Sequence, residues 1–261
     1  VSLLDHTAAC RLCDGENYEP LPIVLRDGTL RAAGFTAAVD YHRTDAGPYR
    51  EWILGIWVGL RGEQAPLLHY ANAASLAFAS VLAGDKGFTL YSPKMLLTED
   101  FPTDVGVVHY GIPKERGEVL YQRSEIETHF AATTSDGRLL MRVSVPTRRG
   151  LMTRLAMGFS LLRAFGFRAL LRAARQKDLP TILAGSAKLL ARNARVVAKV
   201  DPHTQIFAWD PRDCRLEIGS DSEWGRVLQE LRFAPSLVCH IPNLSFSFSG
   251  PIEQVNARGA G

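Results

Sequence analysis

The chain is expected to fold as an α+β protein built mainly from antiparallel strands. Three observations lead there. Residues 51–60, EWILGIWVGL, form an unbroken run rich in Ile, Val and Trp, the composition of a strand buried on both faces. Ser135-Asp136-Gly137 separates two apolar-rich runs, which is a hairpin signal. No strand–helix alternation runs along the chain, so a doubly wound parallel sheet is not expected.

Residues 1–20 read as a polar lead-in, and 21–261 as a single domain. Leu30 to Tyr41 reads as a strand of small residues, and 44–48, TDAGP, as a loop. Residues 71–84 are rich in Ala and Leu, with Asn72 to cap their start and Gly84 to end them, so an inserted helix is expected. Residues 87–98 read as extended. Residues 105–114, VGVVHYGIPK, are a β-branched run, which places Lys114 at the end of a strand. The runs 117–134 and 138–148 flank the Asp-Gly turn. Residues 151–195 form a second helical insertion in two pieces, broken at Pro180. Residues 204–209 and 214–218 flank Asp-Pro-Arg-Asp and predict another hairpin. Residues 223–231 predict a short helix, and the period-two alternation of 243–250, NLSFSFSG, a half-exposed strand.

With 261 residues and 46% hydrophobic content the chain is long enough for a full core. No apolar run reaches the ~18 residues that span a bilayer. The first residues lack a basic start followed by an apolar stretch, so no signal peptide is expected. The four cysteines, Cys10, Cys13, Cys214 and Cys239, stand at irregular spacing, as reduced thiols of a cytoplasmic protein do. Cys10 and Cys13 have C-x-x-C spacing, but no second ligand pair accompanies them. A net charge of +3 points to no nucleic-acid partner. Residues 151–200 nevertheless carry ten Lys and Arg against one acid, Asp178. The expected role of that stretch is a helix with its apolar face packed and its basic face in water. A partner protein or an anionic membrane surface are its other readings. Nucleotide-binding glycine loops, G-x-S-x-G and zincin motifs are all absent.

The sharpest local feature is HYGIPKERGEV, 109–119. A lysine's ordinary pKa is ~10.4, so it must be helped to lose its proton before it attacks a carbonyl. Burial or a neighbouring positive charge gives that help. Taken alone, Lys114 is a lysine on a surface turn or a nucleophile, and the stretch leaves both readings open.

YGIPK resembles the Gly/Ala-aromatic-Pro-Lys-Lys element of the acetoacetate decarboxylase family. Residues 49–58, YREWILGIWV, resemble the family strand that opens Tyr-x-Glu. Residues 96–108, LLTEDFPTDVGVV, resemble the acidic turn before the lysine, and 207–218, FAWDPRDCRLEI, a strand pair near the family's C-terminus. These elements follow family order from about Leu21 to Pro251. The resemblance implies a β-barrel or sheet core and a Schiff-base lysine at Lys114. It also implies an acidic partner at Glu51, no cofactor, a small carbonyl substrate and a homo-oligomer. The activity it implies is that of a lyase: decarboxylation, or related aldol, dehydration or cyclisation chemistry.

The departures are specific. Glu115 stands where the family has a second, activating lysine, and Ile112 where it has an aromatic residue. A second family glutamate falls near Gly34, and the family's substrate-binding arginine has no counterpart beyond Arg11, which cannot be aligned. Two other readings therefore stay open: a catalytically degenerate relative that binds a small apolar ligand, and an interaction protein that uses the basic segment.

Overall fold

The computed structural model describes residues 1–14, 18–62, 68–69, 89–110, 113–147, 187–189, 194–200, 205–241 and 244–249. Seventeen strands occur among them: β1 (Ser2–Asp5), β2 (Tyr18–Pro20), β3 (Ile23–Val24), β4 (Leu30–Tyr41), β5 (Tyr49–Leu60), β6 (Leu68–His69), β7 (Thr89–Leu97), β8 (Lys114–Arg123), β9 (Glu127–Thr134), β10 (Leu139–Pro146), β11 (Ala187–Leu189), β12 (Ala194–Val200), β13 (Gln205–Ala208), β14 (Arg215–Ile218), β15 (Ala234–Pro235), β16 (Leu237–His240) and β17 (Leu244–Ser249). The helices are α1 (His6–Leu12), α2 (Asp100–Tyr110) and α3 (Glu223–Glu230). The main sheet runs β14-β10-β9-β8-β7-β5-β4-β1-β15, and β13 pairs with β16 apart from it. Pairing along the main path is antiparallel except between β7 and β8. The expected mainly antiparallel α+β architecture is therefore what forms.

One face of the sheet is the core. Trp52 and Leu54 of β5, Leu96 of β7 and Met141 of β10 have no exposed surface. Trp52 donates Nε1–H to Met141 Sδ at 3.1 Å. Helix α3 covers this face with Leu228 fully buried. Its start is fixed by Ser222, whose hydroxyl accepts from Gly225 N–H at 3.0 Å. The Asp-Gly turn forms as expected, with Gly137 at φ 81°, a conformation that a side chain would strain.

Several elements differ from expectation. The lead-in is structural: β1 adds to β4 and β15, and Leu4 is fully buried. The strand pair expected at 204–218 does not form. Cys214 N–H bonds Asp210 C=O at 2.7 Å, and this turn sends β13 to β16 and β14 to β10. Residues 187–189 and 194–200 are strands, so the second piece of the expected 151–195 helix is wrong there. Val196, Val197 and Val200 favour a strand. The helix expected at 71–84 and the rest of the basic insertion, 151–186, lie outside the described residues. The β-branched run before Lys114 is helix α2. A parallel β7–β8 pair needs a crossover, and this segment supplies it, so tertiary connection overrides the strand preference of its valines. Pro102 sits in the helix's first turn, where its missing N–H costs nothing. Among the described residues no helix is long and apolar enough to cross a membrane.

Candidate active site

Lys114 is the first residue of β8 rather than the last of a strand. Its position follows from register. Met95 N–H bonds Pro113 C=O at 3.1 Å, which starts the parallel ladder at Met95↔Lys114. Met95 stands opposite Ile53, and Ile53 opposite Ala37. The next row along the same face is Val39, Glu51, Leu97 and Arg116. Side chains alternate along each strand, so Lys114 and Glu51 share the face opposite the core.

The two meet. Lys114 Nζ lies 3.2 Å from Glu51 Oε1, with the side chains 7% and 5% exposed. The second oxygen, Oε2, accepts from Tyr41 Oη at 2.8 Å. Oε1 has no donor aligned for a hydrogen bond, so what it meets at that oxygen is the lysine charge by proximity alone. Tyr41 and Tyr49 are cross-strand neighbours with ring centroids 4.5 Å apart. Burial, and next the Glu51 charge, push both phenols above their ordinary pKa. Tyr41 therefore stays a neutral donor and holds the carboxylate in one orientation.

The lysine stem is held from the helix side. It lies against Gly106 of α2: a Cβ there would collide with Lys114 Cδ, stand 2.6 Å from Cε and 3.2 Å from Nζ. Any larger residue here would have to displace the lysine's flexible end. Arg116, two residues on, pairs with Asp100 at the start of α2 at 2.7 Å. Strand β8 and helix α2 thus enclose the amine from two sides.

Glu115 faces the other way. It pairs with Lys94 of β7 on the core side, where Lys94 is 3% exposed and Glu115 63% exposed. Lys94 Nζ also sits 5.3 Å from the Trp224 ring centroid, a cation–π distance. The residue that stands in place of an activating lysine therefore does not touch Lys114.

Of the residues singled out in sequence, Lys114 and Glu51 come together. Arg11 does not join them; it lies on α1, 59% exposed, 3.8 Å from Glu230. Gly34 is on the core face, where a Cβ would strike Leu4, so no carboxylate side chain fits there. Ile112 is outside the described residues. Sequence reasoning missed Tyr41, Gly106 and Lys94. Lys94 was findable: in SPKMLL it is in phase with Leu96, on the side that must be buried. Tyr41 and Gly106 gave no local signal, because their partners are 10 and 8 positions away across a loop or a crossover.

No family model matches the chain, and no curated protein does. Solved structures give distant likenesses. An enduracididine biosynthesis enzyme, MppR, with HEPES buffer bound is 14% identical, with a TM-score of 0.46, covering 96% of this chain and 81% of that one. MppR complexed with pyruvate is 15% identical, with a TM-score of 0.45 and coverages of 95% and 81%. Acetoacetate decarboxylase from Legionella pneumophila is 9% identical, with a TM-score of 0.47 and coverages of 96% and 81%. Likenesses this distant carry no conclusion about the family or the chemistry of this chain.

Proposed function

We propose that this chain is an enzyme in which Lys114 forms an imine with a ketone or β-keto acid. The observation that carries the reading is the Lys114–Glu51 contact of 3.2 Å between two side chains shielded from water. A shielded amine beside a carboxylate has what imine formation needs: a nucleophile, and a base that takes its proton. The sequence resemblance to the acetoacetate decarboxylase family supports the same lysine.

The steps balance without any further group. Glu51 takes a proton from the Lys114 ammonium, the freed amine adds to the carbonyl carbon as its second proton passes to the carbonyl oxygen, and Glu51 gives its proton back to that hydroxyl as it leaves. Loss of water gives a protonated imine, which draws electrons from the adjacent carbon. With a β-keto acid the C–C bond to the carboxylate breaks, releasing carbon dioxide and leaving an enamine. With a simple ketone an α-proton is lost instead. Protonation of the enamine carbon and hydrolysis return the free lysine and the product ketone. Tyr41 keeps Glu51 aligned throughout. We place the chain with the lyases on this basis, and we propose by resemblance that it works as a homo-oligomer.

The test is exchange of α-protons of a simple methyl ketone into deuterated water, followed by NMR. The expected result is catalysed exchange that Lys114→Met abolishes. Wild-type protein that binds the ketone without exchange would replace this reading with that of a small-ligand binder.

A further inference from the structure

The parallel ladder that presents Lys114 is three residue pairs long: Met95↔Lys114, Leu96↔Glu115 and Leu97↔Arg116. From Gly117 on, β8 is held by seven antiparallel pairs to β9, so the β7 contact decides the setting of its first three residues, Lys114 to Arg116, and a local slip of one residue would turn their side chains over. Lys114 would then enter the core side, and a neighbour would take its place opposite Glu51. The β7 residues in the ladder are Met95, Leu96 and Leu97, all apolar and buried. They offer β8 no side-chain chemistry that tells one register from the next. The selective contact on the core face is Lys94 with Glu115.

That contact has a second consequence. Lys94 is as buried as Lys114, so the site region holds two shielded amines, one on each face of the sheet. Lys94 is enclosed by Glu115 and the Trp224 ring. A lysine at position 115 would set two like charges together at this point, whereas Glu115 sets opposite ones together.

Taking Lys114 as the reacting amine of the proposed function, we propose that Lys94 and Glu115 are positioning residues. The pair holds the first residues of β8 in the setting that puts Lys114 beside Glu51, and it keeps Lys94 itself unreactive. Glu115 is then not a lost activator but the residue that selects which of two lysines meets a substrate.

The test uses the full chain and no carbonyl compound. Limiting acetic anhydride is added across pH 6 to 10, and acetylation of the Lys114 and Lys94 peptides is read by mass spectrometry. Glu115→Gln is expected to change the Lys114 rate by about tenfold or more, the order that ångström-scale misplacement of a reacting group costs, and to shift its pH profile. Lys94 is expected to become labelled in the same variant. Glu115→Asp should keep the wild-type profile. A folded Glu115→Gln protein with an unchanged Lys114 profile would reduce the pair to a structural contact and overturn the proposal. Should Glu115→Gln not fold, Lys94→Met/Glu115→Gln leaves no unpaired charge. An altered Lys114 profile in that double variant supports the lock, and a wild-type profile overturns it. Imine chemistry is not probed by this labelling, so failed ketone exchange and a failed register lock are separate results.

Discussion

Two lysine–glutamate pairs stand back to back across one sheet. In the Lys114–Glu51 pair both members are shielded, and a neutral tyrosine orients the acid. In the Lys94–Glu115 pair only the lysine is shielded; its acid is 63% exposed. The same two residue types therefore meet under different dielectric conditions. Water competes for Glu115 and screens the pair, whereas little water reaches Glu51. Burial of a lysine is thus a poor guide to chemistry by itself. What sets Lys114 apart is an acid equally withdrawn from water, with one oxygen held by Tyr41 and the other left to the amine.

The largest expected effect tests this difference directly. Glu51→Gln leaves a shielded lysine opposite a neutral amide, at a cost of about 3–5 kcal/mol by urea unfolding. Glu115→Gln should cost less, about 1–2 kcal/mol, because Lys94 can draw water in along the path that Glu115 now occupies. Equal or reversed losses would break the comparison. Next comes Gly106→Ala, whose Cβ must push aside the flexible end of Lys114, a strain of about 1–2 kcal/mol partly offset by the ~1 kcal/mol that Ala gains over Gly in a helix. Its Cβ meets the Lys114 stem and nothing of the other pair. Acetylation of Lys114 should change while that of Lys94 does not.

Tyr41→Phe should cost about 1 kcal/mol at neutral pH, the ordinary worth of one hydrogen bond. Its pH dependence is more telling. The Tyr41 and Tyr49 phenols bind their protons more tightly folded than unfolded, chiefly through burial. The stability this provides is complete below pH ~10, where unfolded tyrosine titrates, and is lost as pH rises beyond it. Tyr41→Phe should therefore flatten the fall in stability above that pH, read by urea midpoints at successive pH values. The smallest effect is expected at Arg11→Ala, within about 0.5 kcal/mol, since its pair with Glu230 is solvated on both sides.

Local patterns carried much of the fold. A continuous Ile-, Val- and Trp-rich run, a stretch of small residues, the Asp-Gly turn and one period-two stretch located β5, β4, the β9–β10 hairpin and β17 in turn. The failures occurred where a distant element decides. Residues 105–110 have strand composition and form a helix, because the parallel β7–β8 pair needs a crossover there. The two halves of the expected 204–218 hairpin each find another strand. In the site, Lys114 and Glu51 were legible through the resemblance. Tyr41 was not, because one hydrogen bond across a hairpin leaves no trace in either strand's pattern. The contact of Glu115 was hidden for the same reason: its partner Lys94 lies 21 positions back, across the crossover.

The most direct measurement is reductive trapping. The protein is incubated with a simple methyl ketone and borohydride, and the peptides bearing Lys114 and Lys94 are weighed. The account predicts one alkyl adduct on Lys114, none on Lys94, and none anywhere in either peptide of Lys114→Met. Adducts divided evenly between the two lysines, or labelling that persists unchanged in Lys114→Met, would contradict it.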